Sequence, residues 1–204
     1  MPELPPEAGP ILCGLARHAI AARLGAADPH FDTPGDVSRQ DPGDTRALGY
    51  QNEDSWLDAL GAAFVTLTQR GALRGCIGTL TAYRPLREDV AANAVNAAIR
   101  DPRFPPLTAA ELPDTHIEVS VLSASEPYPF TDRADALSRL RPGVDGLILE
   151  YGSHRGTFLP QVWDSLSKPD DFLANLVRKA GLPAGWWDDD ARLSRYTVKA
   201  FEET

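Results

Sequence analysis

The chain has 204 residues, of which 43% are hydrophobic and 24% charged, ordinary usage for a protein able to bury a core without disulfides or metals. Its net charge of -9 disfavours partners held through phosphate contacts, which speaks against nucleic acid and anionic membrane surfaces as ligands. With two cysteines, no basic-then-apolar N-terminal segment and no apolar run near the roughly 18 residues that span a bilayer, the expectation is a soluble, cytoplasmic protein with free thiols.

Met1 to Gly9 is rich in Pro and Glu, after which Pro10 suits a first helical position and Ile11, Leu12, Leu15, Ile20 and Leu24 recur at helical spacing. From Asp28 to Asp54 the chain is dense in Asp, Gly and Pro without an apolar period, which predicts a long acidic surface loop over 28–54. A helical turn from Trp56 leads into two β-prone runs, Ala62 to Thr68 and Ala72 to Leu80, separated by Arg70-Gly71 as in a hairpin. Pro85 opens an Ala-rich helix, Leu86 to Arg100, which Asp101-Pro102 stops. Thr108 and Glu111 have the spacing of a capping box, and His116 to Ser123 alternates Ile117, Val119 and Val121 against Glu118, Ser120 and Leu122.

Asp132 to Leu140 reads as a helix. Leu147 to Tyr151 and Thr157 to Val162 flank the segment 152–156 as a second hairpin, with His154 in its turn. Pro169 starts a helix whose stripe is Phe172, Leu173, Leu176, Val177 and Ala180, with Gly181 placed to end it, and Leu193 to Phe201 reads as one closing strand. Together these predict an α+β fold with a mostly antiparallel single sheet and helices packed on it. One domain over 1–204 is expected, with two lobes as the alternative, and the order hairpin, helix, strand occurs twice, which hints at internal duplication.

Chemistry concentrates on the second strand of the first hairpin. Alternation puts Arg74, Cys76 and Gly78 on one face, and a guanidinium beside a thiol favours the nucleophilic thiolate form, while Gly75 and Gly78 leave room for a ligand. The competing reading makes Cys76 a small buried hydrophobe and the glycines devices of close packing. Glu118, sharing a face with His116 and Ser120, could orient Arg74 or serve as acid or base if its strand neighbours that of Cys76. His154 and Gln161 are candidate substrate-binding groups, against readings as turn decoration and a backbone-satisfying amide. Trp186-Trp187, followed by three aspartates, reads as core or lid cover, or as a partner patch. No metal or cofactor is expected. His116-x-Glu118 with Cys76 lacks paired ligand spacing, no cysteine follows Cys76 as a zinc deaminase would need, and Gly71, Gly75 and Gly78 do not form a phosphate loop.

The octamer Leu73-Arg74-Gly75-Cys76-Ile77-Gly78-Thr79-Leu80 resembles the signature of the AMMECR-type domain family, whose prokaryotic members are called AmmeMemoRadiSam system protein A. Asp101-Pro102-Arg103-Phe104, Ile117 to Ser123, Gly146 to Leu149, Thr157 to Val162, Phe172-Leu173 through Leu182, and Leu193 to Tyr196 follow in the family's order, so the resemblance covers about 61–201. It implies an α+β domain with one antiparallel sheet and duplicated halves, found in company with Memo-like and radical-SAM proteins and without a settled reaction. Two functions compete on this basis. One is a thiol-dependent enzyme acting on a small substrate through Cys76, assisted by Arg74 and Glu118, with Gly75, Gly78, Gln161 and His154 at the binding site. The other is a non-catalytic partner or adaptor of Memo-like and radical-SAM proteins.

Overall fold

Arg70 and Gly71 both carry positive φ, 51° and 78°, the sign pattern of a type I′ turn whose twist matches that of the strands it joins. A computed structural model describes residues 4–26 and 52–203, so the predicted acidic loop 28–54 lies outside the described residues except for its last positions. In chain order the elements are α1 (Ala8–Leu24), β1 (Leu60–Gly61), β2 (Ala63–Gln69), β3 (Ala72–Gly78), β4 (Arg84–Pro85), α2 (Leu86–Ile99), β5 (His116–Leu122), β6 (Glu126–Pro127) and α3 (Arg133–Ser138). They continue with β7 (Gly146–Tyr151), β8 (His154–Phe158), α4 (Pro169–Lys179), β9 (Arg192–Tyr196) and β10 (Val198–Glu202). Short 3-10 helices lie at Asn52–Asp58, Ala109–Asp114 and Pro160–Asp164.

The fold is α+β, and the pairings β1–β4, β2–β3, β2–β5, β6–β9, β7–β8 and β7–β9 are all antiparallel. The expected single sheet is instead a pair of four-stranded sheets, ordered β10-β5-β2-β3 and β6-β9-β7-β8, with a two-stranded ladder β1-β4. The reason lies in the last segment. Leu193 to Phe201, read as one strand, breaks at Thr197 into β9 and β10, and each half joins a different sheet. The chain correspondingly divides into two compact units, Met1–Leu122 with Lys199–Thr204, and Ser123–Val198.

In the first unit the apolar face of the sheet is Ala63, Val65 and Leu67 of β2 with Ile117, Val119 and Val121 of β5, all inaccessible to solvent. It packs with Leu12, Leu15 and Ile20 of α1 and with Leu86, Val90, Ala94 and Ala97 of α2. Small residues on α2 let helix and sheet approach closely, and Gly75 shows how closely. A Cβ added there would lie 2.2 Å from the Ala97 carbonyl oxygen. One charge is buried in this layer: Asp89 of α2, 0% exposed. Its carboxylate accepts from the Ala63 amide (2.8 Å), the Thr79 hydroxyl (2.8 Å), Arg84 Nε (2.9 Å) and Asn93 Nδ2 (2.9 Å). Desolvating a carboxylate costs several kcal/mol, which only such a complete set of donors offsets. Here they tie α2 to the ends of β2 and β3.

The second unit repeats the arrangement. Leu147 and Leu149 of β7, Leu193 of β9 and Phe172, Leu173 and Leu176 of α4 form its core, with Trp163 stacked on Phe172 at 3.8 Å. The Trp163 indole donates to the Asp145 carbonyl at 2.7 Å, and the fully buried Asp145 carboxylate is held by Arg141. Trp186 tilts against Tyr151 and Trp187 against Phe130, so this aromatic pair covers the core.

The hinted duplication is visible in the topology. Hairpin β2–β3, helix α2 and strand β5 give the order β5-β2-β3, and hairpin β7–β8, helix α4 and strand β9 give β9-β7-β8, each with a fourth strand beside the returning one. Gly75 pairs with Leu67, which pairs with Ile117, and Gly156 pairs with Leu149, which pairs with Leu193. Like Gly75, Gly156 faces its helix: an added Cβ would lie 2.9 Å from the Ala180 amide nitrogen and 3.1 Å from the Leu176 carbonyl oxygen. Gly75→Ala should therefore destabilise by about 1–3 kcal/mol through overpacking against backbone that cannot yield, and Gly156→Ala by less. Urea unfolding checks this, and an unchanged midpoint for Gly75→Ala would show that the helix does not press on the strand.

Candidate functional site

β3 is the edge strand of the first sheet, and its hairpin register sets the site. Thr66 of β2 pairs with Cys76 on one side and with Glu118 on the other, which lines the three up as one cross-strand row. They lie on the face opposite the helices, and all three are half-buried, so the Cys76 thiol is not sealed in apolar packing. Thr66 Oγ1 donates to Cys76 Sγ at 3.4 Å. At the far end Ser120 Oγ donates to Glu118 Oε1 at 2.9 Å. Two strand spacings put the Cys76 and Glu118 backbones roughly 10 Å apart, so Glu118 meets the thiol only across Thr66 or across a molecule lying on the row.

Cys76 occupies a non-hydrogen-bonded pair position with Thr66, so its amide and carbonyl point away from β2 toward the open edge. Both are satisfied by the segment just after α2. Asp101 Oδ2 accepts the Cys76 amide at 2.9 Å, and Arg103 Nη2 donates to the Cys76 carbonyl at 3.1 Å. Arg103 Nε and Nη2 also donate to Asp101 Oδ1 and Oδ2 at 2.9 and 2.6 Å, a two-pronged pair that fixes the guanidinium. Asp101 is 4% exposed. The Arg103 hydrogen bond, with help from the Cys76 amide and against the effect of burial, holds its carboxyl well below the usual carboxylate range. Arg103 is in turn pushed up, chiefly by its bond to Asp101 and also by the Cys76 side chain.

The guanidinium at Cys76 is thus Arg103 and not Arg74. Between Leu67–Gly75 and Thr68–Leu73 the register shifts, and this bulge leaves Arg74 unpaired and breaks the alternation that put it beside the thiol. Its guanidinium is engaged with Glu111 Oε1 (3.2 Å), the Pro105 carbonyl (2.8 Å) and the Pro106 carbonyl (3.3 Å). Glu111 is itself held low by the Thr108 amide and hydroxyl, the capping-box contact the spacing predicts.

The two glycines expected to admit a ligand are occupied by packing. Gly75 faces the Ala97 backbone, and a Cβ on Gly78 would fall 2.2 Å from the Phe64 ring, which fills that space. His154 and Gln161 belong to the second unit. His154 is the first residue of β8, paired with Tyr151, because Gly152 (φ 56°) and Ser153 make a tighter turn than the five residues expected; its Nδ1 lies 3.0 Å from the Ala180 carbonyl. Gln161 is exposed on the 3-10 helix Pro160–Asp164, since Pro160 ends the strand that was expected to carry it.

Cys13, the other thiol, lies between α1 and the first sheet, 2% exposed, with Sγ 3.6 Å from the Phe201 carbonyl. Burial pushes it up to about 11. Among the described residues no three His, Cys, Asp or Glu side chains come together as a metal set, and no helix is long and apolar enough to cross a membrane.

A pair of α+β units built on antiparallel hairpins, with a thiol row clamped at the edge of one sheet, defines the class of protein. The chain belongs to the AMMECR1 family, whose profile matches residues 13–201. A protein of Methanothermobacter thermautotrophicus is 44% identical over 146 residues, covering 69% of this chain and 74% of that protein. One from Thermofilum pendens is 36% identical over 213 residues, covering 100% and 93%. The crystal structure of an uncharacterized protein from Pyrococcus horikoshii matches with a TM-score of 0.73 at 34% identity, over 96% of this chain and 91% of that one.

The Asp101 clamp carries a sign-definite pH dependence. Its folded value lies below the unfolded value of about 3.9, so its contribution is fully present above that pH and is lost as the pH falls below it. Asp101→Asn should cost about 1–3 kcal/mol at neutral pH and flatten the acid limb of a plot of urea midpoint against pH. An acid limb identical to that of the wild type would show that Asp101 is not the titrating clamp.

Proposed function

We propose that this protein is a thiol-dependent enzyme of a reducing, cytoplasmic compartment, acting on a small substrate laid along the row Cys76, Thr66 and Glu118. The observation that carries the reading is the environment of Cys76: half-buried, its sulfur 3.4 Å from the Thr66 hydroxyl, and its carbonyl bonded by the fixed Arg103 guanidinium, which takes the place expected of Arg74. Reactive cysteines occupy such partly exposed, electropositive surroundings, whereas structural ones are buried as Cys13 is. In this reading the thiol loses its proton to solvent, and sulfur forms a bond to an electrophilic carbon while the leaving group departs with its electron pair. Water then releases the product and restores the thiol, with Glu118 as the acid–base group at the far end of the row. Gly75 and Gly78 enter as packing residues that fix the strand rather than as ligand contacts.

Alkylation of the native protein with iodoacetamide, read site by site by mass spectrometry, tests this. Cys76 should react faster than a free model thiol at neutral pH while Cys13 stays unlabelled, and Cys76→Ser should remove the reactive site without unfolding the protein. A Cys76 no faster than the model thiol would end the nucleophile reading.

A second reading, an adaptor for Memo-like and radical-SAM proteins, is favoured by Leu60 of the β1–β4 ladder and Tyr83 just before β4, large side chains 61% and 64% exposed. On that reading Leu60→Asp with Tyr83→Asp should abolish co-elution with such partners and leave Cys76 alkylation untouched; co-elution that survives both changes would place the partner surface elsewhere.

A further inference from the structure

The Arg103 guanidinium is fixed but not used up. Its Nε and Nη2 are committed to Asp101, with Nη2 shared with the Cys76 carbonyl, while Nη1 takes part in none of these bonds. The side chain is 53% exposed, with its Cζ 5.5 Å from the Phe104 ring centroid, and the Asp101 carboxylate that anchors it is 2% exposed, so the anchor sits on the protein side while about half of the arginine side chain meets solvent. An arginine held in this way has already lost its rotamer freedom, and each further hydrogen bond it makes comes at a lower entropic cost. Next to it stands the sulfur, within reach of the Thr66 hydroxyl.

We propose that the Nη1 edge of Arg103 receives a carboxylate of the substrate and so holds the substrate's electrophilic carbon over Cys76 Sγ. This rests on the thiol reading above and adds the substrate class, a small carboxylate-bearing electrophile. A monoanionic carboxylate suits the site better than a phosphate dianion. Asp101 already offsets much of the guanidinium charge, and the chain as a whole carries a net charge of -9, so what remains is one nitrogen's donors rather than a strong positive field. The interaction between Arg103 and the Cys76 side chain, which helps push the guanidinium up, agrees with the two groups serving one ligand. In the second unit the matching row is Thr157, Ile148 and Ser194, which has neither thiol nor carboxylate, so the chemistry belongs to the first unit.

Two reagents of nearly equal size separate the proposal from the reading beneath it. Iodoacetate carries the carboxylate and iodoacetamide does not; with either, sulfur bonds to the methylene carbon and iodide leaves. The full-length reduced protein is treated with each, and the ratio of rates at Cys76 is divided by the same ratio for free N-acetylcysteine. The normalised preference for iodoacetate should be about tenfold, the order that one hydrogen bond to a charged group supplies. It should fall to the free-thiol value in Arg103→Gln and be partly kept in Arg103→Lys. A wild-type preference equal to that of the free thiol overturns the proposal and leaves the thiol reading standing if both reagents still react fast. A Cys76 inert to both overturns the two together. A preference that persists in Arg103→Gln overturns the assignment to Arg103.

Discussion

An edge strand must find partners for the backbone groups that point away from its sheet, and at Cys76 of β3 that requirement organises the first unit. An unpaired, half-buried amide and carbonyl would each cost about 1–3 kcal/mol. Asp101 and Arg103 supply an acceptor and a donor in the places a neighbouring strand would have filled. The same contacts close the edge against pairing with another chain. They also fix where α2 must end, because Asp101 follows that helix by two residues. The octamer around Cys76 is thereby held at three points: Gly75 against the Ala97 backbone, Cys76 by Asp101 and Arg103, and Thr79 by Asp89 and Asn93. A thiol whose backbone is gripped on both sides has a defined direction, which a nucleophile needs and a filler of core space does not.

The buried charges follow one rule in both units. Among the described residues Asp89, Asp101 and Asp145 are the carboxylates withdrawn from water, and each is met by an arginine: Arg84, Arg103 and Arg141. A guanidinium offers several donors in one plane and keeps its charge, so one side chain can satisfy both carboxylate oxygens, which the single ammonium of a lysine does less well. Arginine pairing thus serves architecture in three places. At Arg103 alone among the three does the guanidinium also bond the backbone of the cysteine that carries the thiol, and there structure and chemistry share a residue.

Much of this was legible in the sequence. Strand alternation in β2 and β5, the Arg70-Gly71 turn, the stripe of α4 and the Thr108–Glu111 spacing are local signals, and local signals survive folding. The α+β class and the repeated hairpin, helix, strand order follow from them. What the sequence hid was every feature that depends on partners distant along the chain. Strict alternation puts Arg74 beside the thiol, but a bulge interrupts that alternation, and bulges leave no reliable mark in a sequence. Asp101 and Arg103 were visible only as a helix stop and a family motif, since nothing local says that a carboxylate 25 residues away will take the place of a missing strand. Thr197 gave no sign that one alternating run would serve two sheets. His154 and Gln161 differ from expectation for a nearer reason: a two-residue turn brings His154 into β8, and Pro160 ends the extended run before Gln161.

Duplication separates what packing needs from what it does not. Gly75 and Gly156 sit at matching places in the two units, each under the backbone of the helix that crosses its sheet, so a glycine there belongs to the architecture. The row one residue further on has no such constraint. Cys76, Thr66 and Glu118 in one unit correspond to Thr157, Ile148 and Ser194 in the other, and both sheets form. The polar contact on this row also differs. In the second unit the Tyr196 hydroxyl bridges Thr157 Oγ1 and the Phe158 carbonyl at 3.0 Å each, and burial pushes that phenol up to about 12, which suits a group kept neutral in a structural role. The second sheet thus forms with neutral groups along this row. Against that standard, the ion pair, the accessible thiol and the carboxylate on the first sheet exceed what the topology requires, and the excess is where function is to be sought.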